Sequence, residues 1–256
     1  MQYRTDPQNG NKLSVLGYGC MRYTKKNGRL DWEKAEKEMA RGIELGINYF
    51  DTAYTYRGCE ELLGNFLAKG YRDKVYIATK LPHYQIKTLE DAKNIFAQEL
   101  ERLQTDYIDY YLIHMLTDIK ALERLKAIGV MDWLRELKTQ GVIHNLGFSY
   151  HGGTKGFINI LDAYPWDFTQ IQFNYMDEHS QAGRKGLEYA HSKNLPVIIM
   201  EPLRGGRLTK DLPPKAKELF ASYAPQRSPA YWGLKWLWNE PGVTVVLSGM
   251  NDINQV

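Results

Sequence analysis

The sequence has little of the features that mark several specialised classes of protein. Only two of its 256 residues are cysteines, Cys20 and Cys59, and there is no Cys-x-x-Cys motif, which excludes a disulfide-stapled domain and predicts two free thiols. The six histidines show no close ligand spacing, so no metal site is expected. No apolar run approaches the roughly 18 residues of a membrane span, and the polar N-terminus lacks a signal-peptide pattern. We therefore predict a cytoplasmic protein.

An excess of charge of either sign is also missing. The chain has 33 Lys and Arg residues against 30 Asp and Glu residues, a formal net charge of +3, and these charges are dispersed. A nucleic-acid or membrane surface is usually met by a concentrated basic patch. The balance predicts neither of these partners and favours a small-molecule substrate.

Short β-branched or aromatic runs alternate with longer segments of helical period along the chain. The first strand is preceded by an expected hairpin whose turn is Asn9-Gly10, a dipeptide that tolerates the positive φ of tight hairpins. Eight strands are predicted, and most are separated by segments of helical period. The strand predictions are Leu16–Cys20, Asn48–Asp51, Val75–Lys80, Tyr107–His114, Ile143–Ser149, Phe168–Phe173, Val197–Met200 and Val243–Ser248. The helix predictions are Asp31–Leu45, Glu60–Ala68, Leu89–Leu103, Leu122–Lys138, Phe157–Ala163, Gly183–His191 and two segments within 211–239.

Strands separated by helices of this length must be parallel, because they cannot pair as hairpins. Two architectures satisfy this pattern, a (β/α)8 TIM barrel and an open doubly wound sheet. The glycine fingerprint of a dinucleotide-binding open sheet, Gly-x-Gly-x-x-Gly, does not follow the first strand. We therefore predict an α/β fold of the (β/α)8 TIM-barrel type with a short N-terminal β-hairpin. Residues 1–256 are expected to form a single barrel that stops within its final helix.

Polar residues terminate most of the predicted strands. In a parallel barrel the strand ends meet on one face, where catalytic groups concentrate. Tyr56 is five residues beyond the first of these strand-ending residues, close enough to fold over the barrel mouth. The strand-ending residues are Asp51, Lys80, His114 and Ser149, with Gln172 inside the sixth strand and Glu201 just after the seventh.

This set of residues suits the reduction of a carbonyl group. A phenol such as Tyr56 keeps its proton at neutral pH and can donate it to an alkoxide if a nearby cation, here Lys80, eases the loss. Asp51 would hold the Lys80 ammonium, and His114 would orient the carbonyl or relay a proton. Taken singly, each residue also has a structural interpretation. Asp51 can cap the following helix, and Tyr56 can be a structural residue, since the chain has 18 tyrosines. Lys80 can lie in solvent at a strand end, and His114 can be a core residue. Their occurrence on three successive strand ends favours a site.

Several motifs resemble those of the aldo-keto reductase family. Asp51-Thr52-Ala53-Tyr54-Thr55-Tyr56 followed by Glu60-Glu61-Leu62-Leu63-Gly64 is similar to the family signature, and the matching segments continue in the family's order. The resemblance implies that Asp51, Tyr56, Lys80 and His114 form a catalytic tetrad with Tyr56 as general acid. It also implies a nicotinamide cofactor, NADP or NAD, bound without a Rossmann motif. The further matching segments are 78–80, 106–114, 147–149, 170–175 and 202–206.

The same resemblance implies a set of cofactor contacts. Ser149 and Gln172 would bind the nicotinamide carboxamide, although Gln172 can also be a buried strand amide. The loop after the seventh strand would hold the pyrophosphate, although its two glycines can also form a simple tight turn. Residues that end the first and eighth strands would contact the cofactor by position. The residues concerned in the loop and at these ends are Met200, Pro202, Leu203, Arg204, Gly205 and Gly206, then Cys20 and Met21, and finally Ser248, Gly249 and Asn251.

The sequence departs from the family pattern at several positions. Tyr150 and His151 stand where the family usually has Asn after Ser149, and Met200 replaces an aromatic residue. Glu201 replaces a Ser. The negative charge of Glu201 would have to be offset by Arg204 or Arg207. No Lys or Arg follows the eighth strand, so a preference for NADPH is not implied. These departures resemble a branch of the family that carries a C-terminal ferredoxin-like segment.

Three functional hypotheses follow from the resemblance. The first is a reductase of aldehydes or ketones that uses NADP or NAD. The second is a cofactor-binding module with little turnover, similar to the potassium-channel beta subunits of the family. The third is an electron-transfer partner, in which a ferredoxin-like redox partner or segment would take part.

Overall fold

Eight parallel strands close into a barrel in the computed structural model, which describes residues 1–256. The barrel confirms the predicted (β/α)8 architecture and excludes the open sheet. Neighbouring strands follow one another in chain order, and the last pairs with the first through Val246 and Leu16. The barrel strands are β3 (Leu16–Gly19), β6 (Tyr49–Asp51), β7 (Tyr76–Leu81), β8 (Ile108–Leu116), β9 (Ile143–Tyr150), β10 (Phe168–Gln172), β11 (Val197–Met200) and β12 (Val243–Ser248).

Helices connect these strands and surround the barrel. Amphipathic helices bury one face against the strands, and α3 has a capping box in which Thr88 and Asp91 each bind the other's backbone N–H. No helix of the structure has the length and apolar character needed to span a bilayer. The helices are α1 (Trp32–Glu44), α2 (Cys59–Leu67), α3 (Leu89–Leu103), α4 (Ile119–Ala127), α5 (Val130–Thr139), α6 (Thr154–Asp162), α7 (Gly183–Ser192), α8 (Arg207–Lys210), α9 (Pro214–Ser222) and α10 (Pro229–Trp238).

The predicted N-terminal hairpin is present and lies against one end of the barrel. Its strands, β1 (Tyr3–Thr5) and β2 (Lys12–Ser14), are antiparallel, and Gly10 in the connection has φ +82°. Leu13 of β2 is fully buried among the residues that fill the barrel interior. The hairpin therefore closes the end of the barrel at which the strands begin.

Strand alternation divides the side chains into two cores. Successive residues of a strand point to opposite faces, so every second side chain enters the barrel. Nine buried residues form the interior cluster, and a larger cluster of 49 lies between strands and helices. Gly147 makes room inside, because a Cβ there would lie 2.6 Å from the Phe168 ring. The interior cluster comprises Leu13, Tyr49, Ala78, Tyr110, Leu112, Phe168, Ile198, Val245 and Leu247.

One helix prediction is wrong, and one hairpin was not predicted. The segment 122–138 forms two helices, α4 and α5, because Gly129 adopts φ +80° and interrupts the helical path. The segment Tyr23–Leu30, for which no element was predicted, contains a second hairpin of β4 (Lys25–Lys26) and β5 (Arg29–Leu30). Cys20 and Cys59 are both buried and are free thiols, as predicted.

The Glu-x-x-Leu-Gly motif has a packing role in α2. Glu60 is buried and accepts hydrogen bonds from the Thr79 hydroxyl at 2.6 Å and from Arg102 at 3.2 Å. A Cβ on Gly64 would lie 2.1 Å from the Arg102 carbonyl oxygen, so only glycine allows α2 to approach the end of α3 this closely. The motif therefore fixes α2 and the loop before it relative to β7.

Candidate active site

The predicted strand-ending residues meet at the end of the barrel where the strands finish. Asp51 ends β6, Lys80 is the penultimate residue of β7, and His114 lies near the end of β8. All three follow interior residues at two-residue steps, so their side chains enter the same mouth. Asp51 and Lys80 are 5% and 1% exposed, and His114 is 6% exposed. The helix that follows β6 is preceded by Gly58, which excludes Asp51 as its cap.

Lys80 is held in this mouth as an ammonium ion. Its Nζ lies 2.6 Å from Asp51 Oδ1 and donates a second hydrogen bond, also 2.6 Å, to the Thr52 carbonyl. Burial alone would lower the pKa of Lys80, but the negative charge of Asp51 and the hydrogen bond that Asp51 accepts outweigh this, and the pKa is raised. Gln170 Nε2 donates to the other carboxylate oxygen of Asp51 at 3.0 Å. Both oxygens of Asp51 are therefore bonded to partners.

Tyr56 and His114 lie beside this ion pair. The Tyr56 ring centroid is 6.0 Å from that of His114 in an edge-on arrangement, and 5.3 Å from Lys80 Nζ. Tyr56 is half-buried; desolvation raises its pKa, Lys80 opposes the rise and Asp51 adds to it. The phenol is accordingly protonated at neutral pH.

His114 is neutral at physiological pH. Burial, followed by the charge of Lys80, lowers its pKa to about 3. Its Nδ1 is buried and has no hydrogen-bond partner in the chain. A buried polar atom without a partner is unusual in a folded protein, and such atoms concentrate where a ligand or water binds. The protonation state, which the sequence could not supply, is thus set by the environment.

Ser149 and Gln172 are buried on the inner faces of β9 and β10. The Ser149 hydroxyl oxygen accepts a 2.8 Å hydrogen bond from the Met115 backbone N–H, which leaves its own proton to be donated elsewhere. Gln172 Nε2 donates to Asp177 at 2.9 Å, which leaves its carbonyl oxygen as an acceptor. The pair therefore offers one donor and one acceptor. Gln172 is both a satisfied strand amide and an available acceptor.

The sequence model of the Aldo/keto reductase family matches residues 15–256. The chain belongs to this family. An aldo-keto reductase from Mycobacterium sp. (strain MCS) is 34% identical over 248 residues, which cover 95% of this chain and 80% of that protein. The uncharacterised oxidoreductase YqkF of Bacillus subtilis is 28% identical over 280 residues, covering 95% and 85% of the two chains.

Solved aldo-keto reductases have the same architecture. The holo form of the aldo-keto reductase AKR11C1 from Bacillus halodurans aligns with a TM-score of 0.81 and 26% identity. The alignment covers 100% of this chain and 88% of that one. Its apo form aligns with a TM-score of 0.78 over 100% and 87% of the chains. The family relationship supports an oxidoreductase that acts on carbonyl compounds, and nicotinamide cofactors are general to the family.

In this aldo-keto reductase the loop after β11 is a tight turn that uses its arginine internally. Gly205 and Gly206 have φ of +65° and +94°, and the segment Arg204–Gly206 is a 3₁₀ turn. Arg204 Nε donates to Asp177 at 2.7 Å, and this ion pair compensates its charge. Arg204 therefore does not pair with Glu201, which is exposed and has a strained φ of +54°.

The remaining predicted cofactor residues follow the strand ends at the barrel rim, but they differ in exposure and not all of them face the mouth. Met200 is half-buried and lies next to Gln172 in the register of the sheet. Pro202 is buried, and Leu203 is half-buried. Cys20 is fully buried in the cluster between strands and helices, so its side chain does not face the mouth, whereas Met21 is exposed. Half-buried Ser248 ends β12, and exposed Gly249 leads on to Asn251, whose carbonyl accepts a 3.0 Å hydrogen bond from Thr24.

Two residues that the sequence did not single out belong to this rim. Gln170, which binds Asp51, lies two residues before Gln172 and could have been found by strand alternation. Arg22 is exposed, and its guanidinium group lies 3.0 Å from the position of a Cβ at Gly205. Its aliphatic stem lies 3.3 Å from the corresponding position at Gly249. Arg22 therefore lies between the loops after β11 and β12 and places a positive charge there.

Proposed function

We propose that this chain reduces an aldehyde or ketone with a nicotinamide dinucleotide, and that Tyr56 is the general acid. The observation that carries the proposal is the cluster of Asp51, Tyr56, Lys80 and His114 at one open barrel mouth, in a family of oxidoreductases. The bound cofactor would supply a hydride to the carbonyl carbon. The chain's own residues manage the proton and the developing negative charge.

Each member of the cluster has a separate role in the proposal. Tyr56 donates its phenolic proton to the carbonyl oxygen, and the Lys80 ammonium stabilises the phenolate that remains. Asp51 keeps Lys80 charged in a buried position, and Gln170 keeps Asp51 oriented. Neutral His114 donates a hydrogen bond to the substrate oxygen, which orients the carbonyl without adding a second charge beside Lys80.

The residues at the mouth suit a nicotinamide dinucleotide. The donor of Ser149 and the acceptor of Gln172 match the oxygen and the NH₂ group of a carboxamide. Gly205 and Gly206 leave a groove without side chains, and Arg22 places a cation next to it. A guanidinium group suits a diphosphate, because its fork of donors matches the oxygens. Arg22 is a better candidate for this contact than Arg204, whose charge Asp177 offsets.

Substitution of Tyr56 by Phe tests the proposal directly. The Tyr56→Phe variant should bind NADPH or NADH like the original chain, measured by fluorescence titration, and should lose about 10²- to 10⁴-fold in kcat, because one proton donor is removed. Retained turnover would disprove the role of Tyr56. Arg22→Gln should instead weaken cofactor binding, and a matched Arg204→Gln variant should weaken it less. Tight cofactor binding without reduction of any aldehyde would favour a binding module.

A further inference from the structure

The unpredicted hairpin β4–β5 carries three exposed cations. Lys25, Lys26 and Arg29 lie on its two short strands, and Asn27 and Gly28 form the turn with φ of +53° and +79°. Lys26 and Arg29 are directly paired across the hairpin. Like charges in such a pair destabilise a hairpin, so this arrangement is not explained by the stability of the fold.

The hairpin lies against the loop that carries Tyr56. A Cβ on Gly58 would lie 3.2 Å from Leu30 Cδ1, which shows that β5 packs on this loop. Lys25 is the register partner of Leu30 and therefore points to the same side of the hairpin. Burial, Glu61 and Glu60 raise the pKa of the Cys59 thiol to about 11, and the charge of Lys25 opposes the rise. Lys25 is thus within electrostatic range of the start of α2.

Arg57 adds a second cation at this position. It is exposed and directly follows Tyr56 in the chain. We define the basic rim as Lys25, on the face of the hairpin that carries Leu30, and Arg57, in the loop against which Leu30 packs. No carboxylate lies within ion-pair distance of either residue, since none of the ion pairs of the chain includes Lys25 or Arg57.

The acids closest to the basic rim are already engaged elsewhere. Glu61 pairs with Arg102 at 3.4 Å, and the buried Glu60 also binds Arg102. Asp31, at the end of the hairpin, caps α1 by accepting a hydrogen bond from the backbone of Lys34. The basic rim therefore keeps a positive charge that no carboxylate neutralises, beside the loop that carries Tyr56.

We propose that the basic rim selects carbonyl substrates that carry an anionic group. This inference rests on the proposed function and names its substrate class. The carbonyl carbon gains the hydride and its oxygen gains the Tyr56 proton, while the anionic group lies against Lys25 and Arg57 and is not changed by the reaction. Two cations at the entrance raise the local concentration of an anion and hold it by Coulomb attraction.

Three para-substituted benzaldehydes test this proposal by differing mainly in charge. They are 4-carboxybenzaldehyde, its neutral methyl ester and the cationic 4-trimethylammonio analogue. We expect kcat/KM to be about ten-fold higher for the carboxylate than for the ester, lowest for the cation, and the ratio to fall towards one at high salt. Equal reduction of the three aldehydes would overturn the inference and leave the proposed function standing. Reduction of none of them, nor of any aliphatic aldehyde, would overturn the proposed function.

A double variant separates the basic rim from general charge effects. In Lys25→Gln with Arg57→Gln, the carboxylate-to-ester ratio should fall to about one, while the dissociation constant of the cofactor, measured by fluorescence, should match the wild type. The control is Lys93→Gln with Lys185→Gln, which removes two exposed lysines on α3 and α7 and should keep the full ratio. A double variant that keeps the ratio, or a control that loses it, would contradict the role of Lys25 and Arg57.

Discussion

The two ends of the barrel both bury polar groups, but they satisfy them differently. At the closed end, Asp6 accepts hydrogen bonds from the Tyr110 hydroxyl at 2.9 Å and from Asn9 at 3.0 Å, and Asn9 also donates to Asn145 at 2.7 Å. At the open end, Lys80 and Asp51 are paired, whereas His114 Nδ1 has no partner. A closed network stabilises a fold, and an incomplete one leaves capacity for a ligand.

The consequence is that substitutions at the two ends should separate stability from activity. At the closed end Asp6, Asn9, Tyr110 and Asn145 bond one another without a substrate, so the loss of these bonds should lower stability alone. At the open end the same groups that are costly to bury are those that the proposed chemistry uses. This separation can be tested from the largest expected effect to the smallest.

The largest effect is expected for Lys80→Met. Removal of one member of a buried ion pair leaves Asp51 uncompensated, which typically costs about 3–5 kcal/mol. Activity should fall with it, because the phenolate of Tyr56 loses its cation. Urea unfolding and steady-state kinetics measure both effects. Adding Asp51→Asn should restore part of the stability and none of the activity. As a control, Lys37→Met removes one member of an exposed ion pair and should leave stability nearly unchanged.

A smaller, pH-dependent effect is expected for His114→Gln. In the folded chain the pKa of His114 is about 3, below its ordinary value of 6.5. Between pH 3 and pH 6.5 the imidazole is therefore protonated in the unfolded chain and neutral in the folded chain. Stability is therefore lost as pH falls below about 6.5, by up to about 1.4 kcal/mol per pH unit. Urea unfolding at pH 7 and pH 5 should show a larger decrease for the wild type than for His114→Gln. Equal decreases would show that His114 titrates normally.

The smallest effect on activity is expected at the closed end, for Tyr110→Phe. It removes a hydrogen bond to the buried Asp6 carboxylate, which should lower the free energy of unfolding by about 1.5–3 kcal/mol and leave kcat/KM as in the wild type. Tyr3→Phe is the matched control. The Tyr3 hydroxyl donates to the Gly46 carbonyl at an exposed position of the N-terminal hairpin, so its loss should change stability less. A loss of activity in Tyr110→Phe would show that the two ends are coupled.

The fold was largely predictable because its elements are periodic. The limits of α3, β11 and β12 agree with the prediction, since each is marked by clear apolar spacing. The break at Gly129 was missed because the hydrophobic pattern continues through it. The hairpin β4–β5 was also missed, although Asn27-Gly28 is the same turn signal that located the first hairpin.

The candidate site was predictable in its members and less so in its contacts. Asp51, Lys80 and His114 were found because polar residues that end apolar strands are conspicuous. Asp177, which binds both Gln172 and Arg204, carries no local signal, because it lies in a loop and meets its partners only through the fold. Arg22 likewise carries no local signal, because Gly205 and Gly249, which it lies beside, are distant from it along the chain. The assignment of catalytic and cofactor-binding roles remains a prediction.

The sequence by itself determined which polar side chains would face the barrel mouth, because strand alternation and strand length fix the face and depth of each residue. Only the tertiary structure decided their charge and availability. Burial keeps His114 neutral, and Asp177 offsets the charge of Arg204. The contact of Leu30 with Gly58 places the hairpin that carries Lys25 against the loop of Tyr56 and Arg57. Desolvation and ion pairing depend on neighbours that are distant along the chain, so no local pattern records them.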